Sequence, residues 1–227
     1  MKRRQLCILA DLLMVALLPL LMAYSLIGET FHEVAGVLML ALFLSHHALH
    51  AAWLPSLFRG AWGPRRICGT AVDLLLCGVM VILPLSGMAV SRHLFAFLPT
   101  AGLAAPARTL HLLAAYWGYL LMSFHLGLHL TGAARKLPGA ARWLWGAAAL
   151  YGVWAFWRRD FLQYLFLRSQ FVFFDFSQAR VRFLADYLAV MVLFAALGCL
   201  AGLGLVRWGQ RRARRQGRPP QEGTHGS

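Results

Sequence analysis

Charge is scarce in this chain, and negative charge most of all: Asp and Glu number 8 in 227 residues, and all charged types together make up 13%. That excludes a disordered chain and a coiled coil, both of which depend on solvated charge. Cysteine is sparse as well. Cys7, Cys68, Cys77 and Cys199 form no Cys-x-x-Cys pair and no metal spacing, so neither a secreted disulfide scaffold nor a zinc module is encoded, and packed, reduced thiols are expected. What fills the chain instead is apolar side chain, 60% of the residues, with a mean hydropathy of +0.63. Soluble domains hold roughly 45 to 50% even with glycine counted, so a soluble globule is a poor description.

The few charges fall between long apolar stretches, the pattern of an all-α integral membrane bundle. Six candidate spans follow one another: Leu6 to Ile27, Phe31 to Leu54, Ile67 to Val90, Leu110 to Leu130, Leu137 to Trp157 and Phe183 to Val206. The first, preceded by Lys2, Arg3 and Arg4, resembles a signal peptide, but its Met22-Ala23-Tyr24-Ser25 end makes a poor cleavage site. The fifth is the weak one, since its uninterrupted part, Leu144 to Trp157, is short and would tilt or re-enter. With an even number of crossings and both termini cytoplasmic, fifteen of the Lys and Arg residues lie inside and seven outside, as the positive-inside rule requires. A multi-pass protein of the inner (cytoplasmic) membrane is expected.

The net charge of +14 would suggest nucleic acid in a soluble chain. Here Arg207 to Arg218 directly follows an apolar helix, so the basic segment reads as an anchor on anionic lipid headgroups, and nucleic acid is not expected as a partner. Residues 1–132 read as a core of four helices, 133–207 as two further membrane helices joined by an aromatic extracytoplasmic segment (158–182), and 208–227 as a basic cytoplasmic tail.

The first four spans contain a duplicated helix pair. At an offset of 79 residues, Thr30, His32, Ala35, Leu42, His46, Leu49 and His50 match Thr109, His111, Ala114, Leu121, His125, Leu128 and His129. The preceding helices echo one another through Leu18-Pro19-Leu20 and Leu83-Pro84-Leu85, followed by Met22-Ala23-Tyr24-Ser25 and Met88-Ala89-Val90-Ser91 with one residue inserted. Two copies of a helix pair keep one orientation and relate by an axis along the membrane normal. The second and fourth spans then run parallel, with His32 level with His111 and His46 level with His125.

Fourteen residues separate the histidines in each helix, which is about 21 Å and about 3.9 turns. Both rings of a helix therefore point nearly one way, within a hydrocarbon core of about 30 Å. Imidazoles opposed across a bundle, with no carboxylate or thiolate beside them at the same spacing, suit the two axial positions of a haem iron. Two haems at different depths would conduct electrons across the bilayer, His32 with His111 holding the outer one and His46 with His125 the inner. Zinc fits less well, because a tetrahedral site needs three or four close ligands, usually with a carboxylate or cysteine among them. The plainer alternative is that these histidines cap helix ends. Thr30 with Glu33 spells a capping box that puts His32 in the first helical turn.

His50 and His129 lie one turn past the inner pair on the same face, and are second candidates as ligand, propionate partner or quinone contact. His47 points about 100° away and reads as a helix-surface residue; His93 and His225 lie outside the spans. Arg59, Arg65 and Arg66 inside and Arg92 and Arg108 outside stand where haem propionates would emerge, although as topology determinants they need no such role. Gly36, Gly118 and Gly127 either admit a flat macrocycle or pack helices. Asp160 to Arg182 carries Phe161, Tyr164, Phe166, Phe171, Phe173, Phe174 and Phe176 among arginines, as an outer interfacial segment would, either as a lid over the outer haem or as an aromatic belt.

Thr30-Phe31-His32-Glu33-Val34-Ala35-Gly36, His46 with Trp53 downstream, Leu85-Ser86-Gly87 and Phe124-His125-Leu126-Gly127-Leu128-His129 together resemble the flavinylation-associated cytochrome family, catalogued as a membrane domain of unknown function. The likeness extends to Leu150-Tyr151-Gly152, to 171–176 and to Asp186-Tyr187. It implies a transmembrane b-type cytochrome, an electron-transfer protein or redox subunit rather than a stand-alone enzyme. Electrons would pass from a quinone or a cytoplasmic-side reductase to an extracytoplasmic protein carrying covalently bound FMN. Members often carry asparagine where this chain has His50, which makes His50 the lesser ligand candidate. Two other readings fit the same residues: a quinol-oxidising cytochrome b subunit of a larger reductase, and a non-redox membrane scaffold or carrier with structural histidines.

Overall fold

A computed structural model describes residues 3–172 and 177–215. Among these the chain is helical throughout, with no strand, the arrangement that satisfies every backbone group within its own segment where water is absent. The elements are α1 (Arg3–Met22), α2 (Tyr24–Ile27), α3 (Glu29–Leu49), α4 (Trp53–Ser56), α5 (Pro64–Val90), α6 (Ala104–Ala134), α7 (Gly139–Arg158), α8 (Phe161–Leu165) and α9 (Arg180–Arg215). Four of them, α1, α3, α5 and α9, are long and apolar enough to cross a membrane. Helices α6 and α7 are comparably long, but histidine, tyrosine, tryptophan and glycine replace part of their aliphatic content.

Helix α3 lies against α1 and touches α5, while α6 is packed between α5 and α9, with α7 on the far side of α9. Contacts fix the directions. Arg3 meets Leu49 and Asp11 meets His46, so α1 and α3 are antiparallel. Arg65 meets Leu128 and Ser86 meets His111, so α5 and α6 are antiparallel too. Tyr116 and Tyr119 both meet Tyr187, and Cys199 meets Gly127, which makes α6 and α9 parallel. Helix α3 meets α5 through His47 with Cys77 and Glu33 with Ser91, antiparallel again, so α3 and α6 run the same way, as the duplication requires.

Small residues set the closest approach. A Cβ on Gly127 or Gly198 would run into the facing backbone of α9 or α6, and one on Gly152 into the Ala189 carbonyl of α9. Gly127 is thus a helix-packing glycine. Gly118 is one as well, facing Val79 of α5, whereas Gly36 looks into open space. The chain's main buried cluster joins Leu17 and Leu18 of α1, Ala35 and Met39 of α3, Met80 of α5, Tyr116 and Tyr119 of α6, and Tyr187 and Val190 of α9.

Two local expectations are corrected. Helix α3 begins after Gly28 (φ +89°) with no side-chain cap. Glu33 closes no capping box: it accepts from the Ser91 hydroxyl at 2.7 Å and from the amides of Arg92 and Leu94 at 2.8 Å each, tying α3 to the loop after α5. Phe161 and Tyr164 do not lie in an interfacial belt, because α8 folds them into the core, where Tyr116 and Tyr164 stack with centroids 4.5 Å apart. Phe166 and Phe171 remain exposed; Phe173, Phe174 and Phe176 lie outside the described residues. The basic segment is helical through Arg215, since α9 runs unbroken past Arg207, and residues 216–227 are also outside the described set.

Candidate functional site

The outer pair of histidines is brought together. His32, in the first turn of α3, and His111, early in α6, have ring centroids 6.1 Å apart and planes at 72°. Two metal–nitrogen bonds of about 2 Å each, with about 1 Å from each nitrogen to its ring centre, span about 6 Å, so this is the separation of two imidazoles flanking one metal atom. His111 is held from α5: its Nδ1 stands 3.1 Å from the Leu83 carbonyl and 3.1 Å from the Ser86 hydroxyl. A carbonyl only accepts, so Nδ1 carries the proton and Nε2 keeps the lone pair that a metal needs. Gly87 leaves room for the ring, because a Cβ there would lie 3.3 Å from His111 Cε1. His32 Nδ1 is buried without a hydrogen-bond partner among the described residues; Tyr24 abuts the ring edge-on at 5.2 Å.

The inner pair is arranged differently. His46 and His125 make no ring contact with each other among the described residues. Each instead faces a carboxylate on the preceding helix of its own pair. His46 Nδ1 donates to Asp11 Oδ1 at 2.8 Å, and His125 Nδ1 stands 2.9 Å from Asp73 Oδ1, within ion-pair reach but off the hydrogen-bond axis. The expectation of histidines without neighbouring carboxylates is therefore corrected: both acids arrive from adjacent helices. His50 and His129 adjoin the same clusters, with centroids 4.7 Å from His46 and 4.5 Å from His125, and both reach the surface.

These inner contacts repeat in step. Arg3 Nη2 donates to the Leu49 carbonyl at 2.6 Å and Arg65 Nη2 to the Leu128 carbonyl at 3.2 Å. Leu49 and Leu128 stand at the same 79-residue offset as His46 and His125. Arg3 and Arg65 share a 62-residue offset with Asp11 and Asp73. The Leu-Pro-Leu match put the first helices at an offset of 65; the contacts set the inner half three residues, nearly one turn, from that register. A signal was present, since Asp11 and Asp73 are the sole acidic residues in their apolar runs, and an ionisable group within a span is a functional candidate by default.

The remaining candidates have local partners. His47 bridges α3 and α5, with Nδ1 3.0 Å from the Phe43 carbonyl and Nε2 3.6 Å from Cys77 Sγ. Arg66 donates to the Ser56 and Ala61 carbonyls and lies over Trp62 at 4.5 Å, fastening the α4 connection. Arg92 reaches Glu29 at 3.3 Å. A buried cluster that sequence reasoning missed joins α7 and α9: Asp186 of α9 takes Tyr151 and Arg159 as hydrogen-bond donors and stands 3.4 Å from Arg158. Beside it a cavity of about 140 Å³ is lined by Leu26, Tyr116, Tyr164 and Tyr187 together with the two arginines. Comparison with family models, with curated proteins and with solved structures finds no match to this chain.

Proposed function

We propose that the chain is a six-span, di-haem b-type cytochrome that carries electrons across the inner membrane, from a quinone or cytoplasmic-side reductase to an extracytoplasmic flavin-bearing acceptor, with both termini cytoplasmic. The observation that carries this reading is the His32–His111 pair, 6.1 Å apart and contributed by two parallel helices, with His111 held in the tautomer that presents Nε2. When bound, haem would supply one-electron ferrous–ferric chemistry that no side chain here offers. The protein's own work is orientation. Leu83 and Ser86 hold His111, Asp11 and Asp73 hold His46 and His125, and exposed Leu12, Leu38, Leu74 and Leu200 face lipid around them.

The inner cluster favours one second reading. Asp11, His46 and His50 place three donor atoms within 4.8 Å of one another, a two-histidine, one-carboxylate set that suits a divalent transition metal. The test is a visible spectrum of detergent-purified, dithionite-reduced protein made with ample haem supply, with a pyridine haemochrome count and elemental analysis on one sample. Two haems per chain support the cytochrome. One haem with a stoichiometric non-haem metal transfers the inner cluster to the second reading, and colourless protein refutes both haem sites.

A further inference from the structure

The two candidate haem sites differ in what stands behind their ligands. At the outer site, His111 Nδ1 faces the Leu83 carbonyl and the Ser86 hydroxyl, both neutral groups, and His32 Nδ1 is buried without a hydrogen-bond partner among the described residues. Glu33, next in sequence to His32, directs its carboxylate to the loop at 91–94 and bonds neither ring. At the inner site both rings have a carboxylate behind Nδ1, Asp11 at 2.8 Å and Asp73 at 2.9 Å. The nearby cations Arg3 and Arg65 are engaged with the Leu49 and Leu128 carbonyls.

Resting on the cytochrome reading above, we propose that Asp11 and Asp73 are a matched pair of positioning residues that give the inner site the lower reduction potential, so that transfer from the inner to the outer side is downhill. Asp11, accepting from His46 Nδ1–H, fixes the Nε2-ligating tautomer and draws the ring toward imidazolate, a stronger donor to iron; Asp73, off the hydrogen-bond axis of His125, acts through its charge. Stronger donation and a fixed negative charge in a low-dielectric surround both stabilise the ferric form over the ferrous form. Carbonyl and hydroxyl partners do less of each. The duplication thus yields two histidine sites with unlike potentials, because Asp11 of α1 and Asp73 of α5 stand directly behind the inner rings, whereas among the described residues no carboxylate stands behind Nδ1 at the outer pair.

The test is a spectroelectrochemical titration of the haem-loaded, full-length chain in nanodiscs, comparing wild type with Asp11→Asn, Asp73→Asn and the double variant. Wild type should show two one-electron waves. Each single substitution should raise the lower wave and leave the upper one in place, by about tenfold in the reduced-to-oxidised ratio at fixed potential, equivalent to about 59 mV for a one-electron couple. Ser86→Ala should move only the upper wave. If an Asn variant sheds a haem, the Glu variant at that position should keep it near the wild-type potential; loss from both Asn and Glu variants counts against positioning by the carboxylate. Haem-loaded protein whose lower wave ignores both substitutions, or whose upper wave moves instead, overturns the inference while leaving the cytochrome standing. Protein without haem overturns the cytochrome itself.

Discussion

Replacing Asp186 tests whether the α7–α9 contact is held by charge. Its side chain is fully buried while the side chains of Arg158 and Arg159 are 20% and 14% exposed. Arg159 donates through Nε at 2.8 Å, with Nη2 at 2.7 Å from the same oxygen, and Tyr151 donates to the other oxygen. Asp186→Leu removes the acceptor and leaves two cations facing an apolar interior. Breaking a buried pair costs about 3 to 5 kcal/mol, and the residual exposure of both arginines points to the lower end. For a chain of this length each kcal/mol shifts the midpoint by about 2 to 4 °C, so the melting temperature should fall by about 6 to 12 °C. The assay is thermal unfolding in one detergent at one scan rate, since the transition is expected to be irreversible. Adding Arg158→Met and Arg159→Met to Asp186→Leu should recover most of the loss, because an apolar replacement of a whole buried pair is close to neutral. A single variant that melts with the wild type refutes the reasoning, as does a triple variant no better than the single.

His46→Ala and His125→Ala should each remove one of two haems and spare the other, read from the pyridine haemochrome count; retention of both haems in either variant moves inner ligation to His50 or His129. Gly127→Ala pushes a methyl into the Ala195 backbone of α9 and should cost about 1 to 3 kcal/mol, the range of overpacking, seen as a lower melting temperature. Gly132→Ala, with nothing within 4 Å, should instead be neutral or stabilising by up to about 1 kcal/mol.

The helical class and the parallel course of α3 and α6 were legible because apolar run length and histidine spacing are local properties of the chain. The encounter of His32 with His111 followed from the same arithmetic. What stood behind the rings was not legible. Asp11 reaches His46 across 35 residues, and the Leu-Pro-Leu alignment gave a register three residues from that of the acids, so the pairing was hidden by a shift of nearly one turn. Glu33 spelled a capping box, yet a helix beginning at Glu29 leaves it inside the first turns, free to collect amides from a loop some sixty residues away. Phe161 and Tyr164 looked interfacial because they sit among arginines. Their burial goes with a left-handed turn at Asp160 (φ 52°) that folds α8 back onto α6; aspartate is among the few side chains enriched in that conformation, but one residue is too weak a signal to place a turn.

Helix α6 falls short in hydropathy because of where it stands. Hydropathy scales report how well a helix suits lipid on all sides, whereas α6 packs between α5 and α9 and can carry His111, Tyr116, Tyr119, Ser123, His125 and Thr131 against protein. Its neighbours measure its course. Near one end His111 meets Ser86 of α5 and Tyr116 meets Tyr187 of α9; near the other Leu128 meets Arg65 of α5 and a Cβ on Gly202 of α9 would meet Thr131. From His111 to Thr131 is about 30 Å of helix, the thickness of a hydrocarbon core of about 30 Å. An element in register with α5 and α9 at both ends covers whatever depth they cover. The proposal of six spans counts α6 on this packing, where composition alone does not. Helix α7 earns the same reading from its opposite face: it packs along α9 through Gly152 and Ala155 while Leu144, Leu150 and Trp154 stay exposed, an apolar surface that lipid would cover.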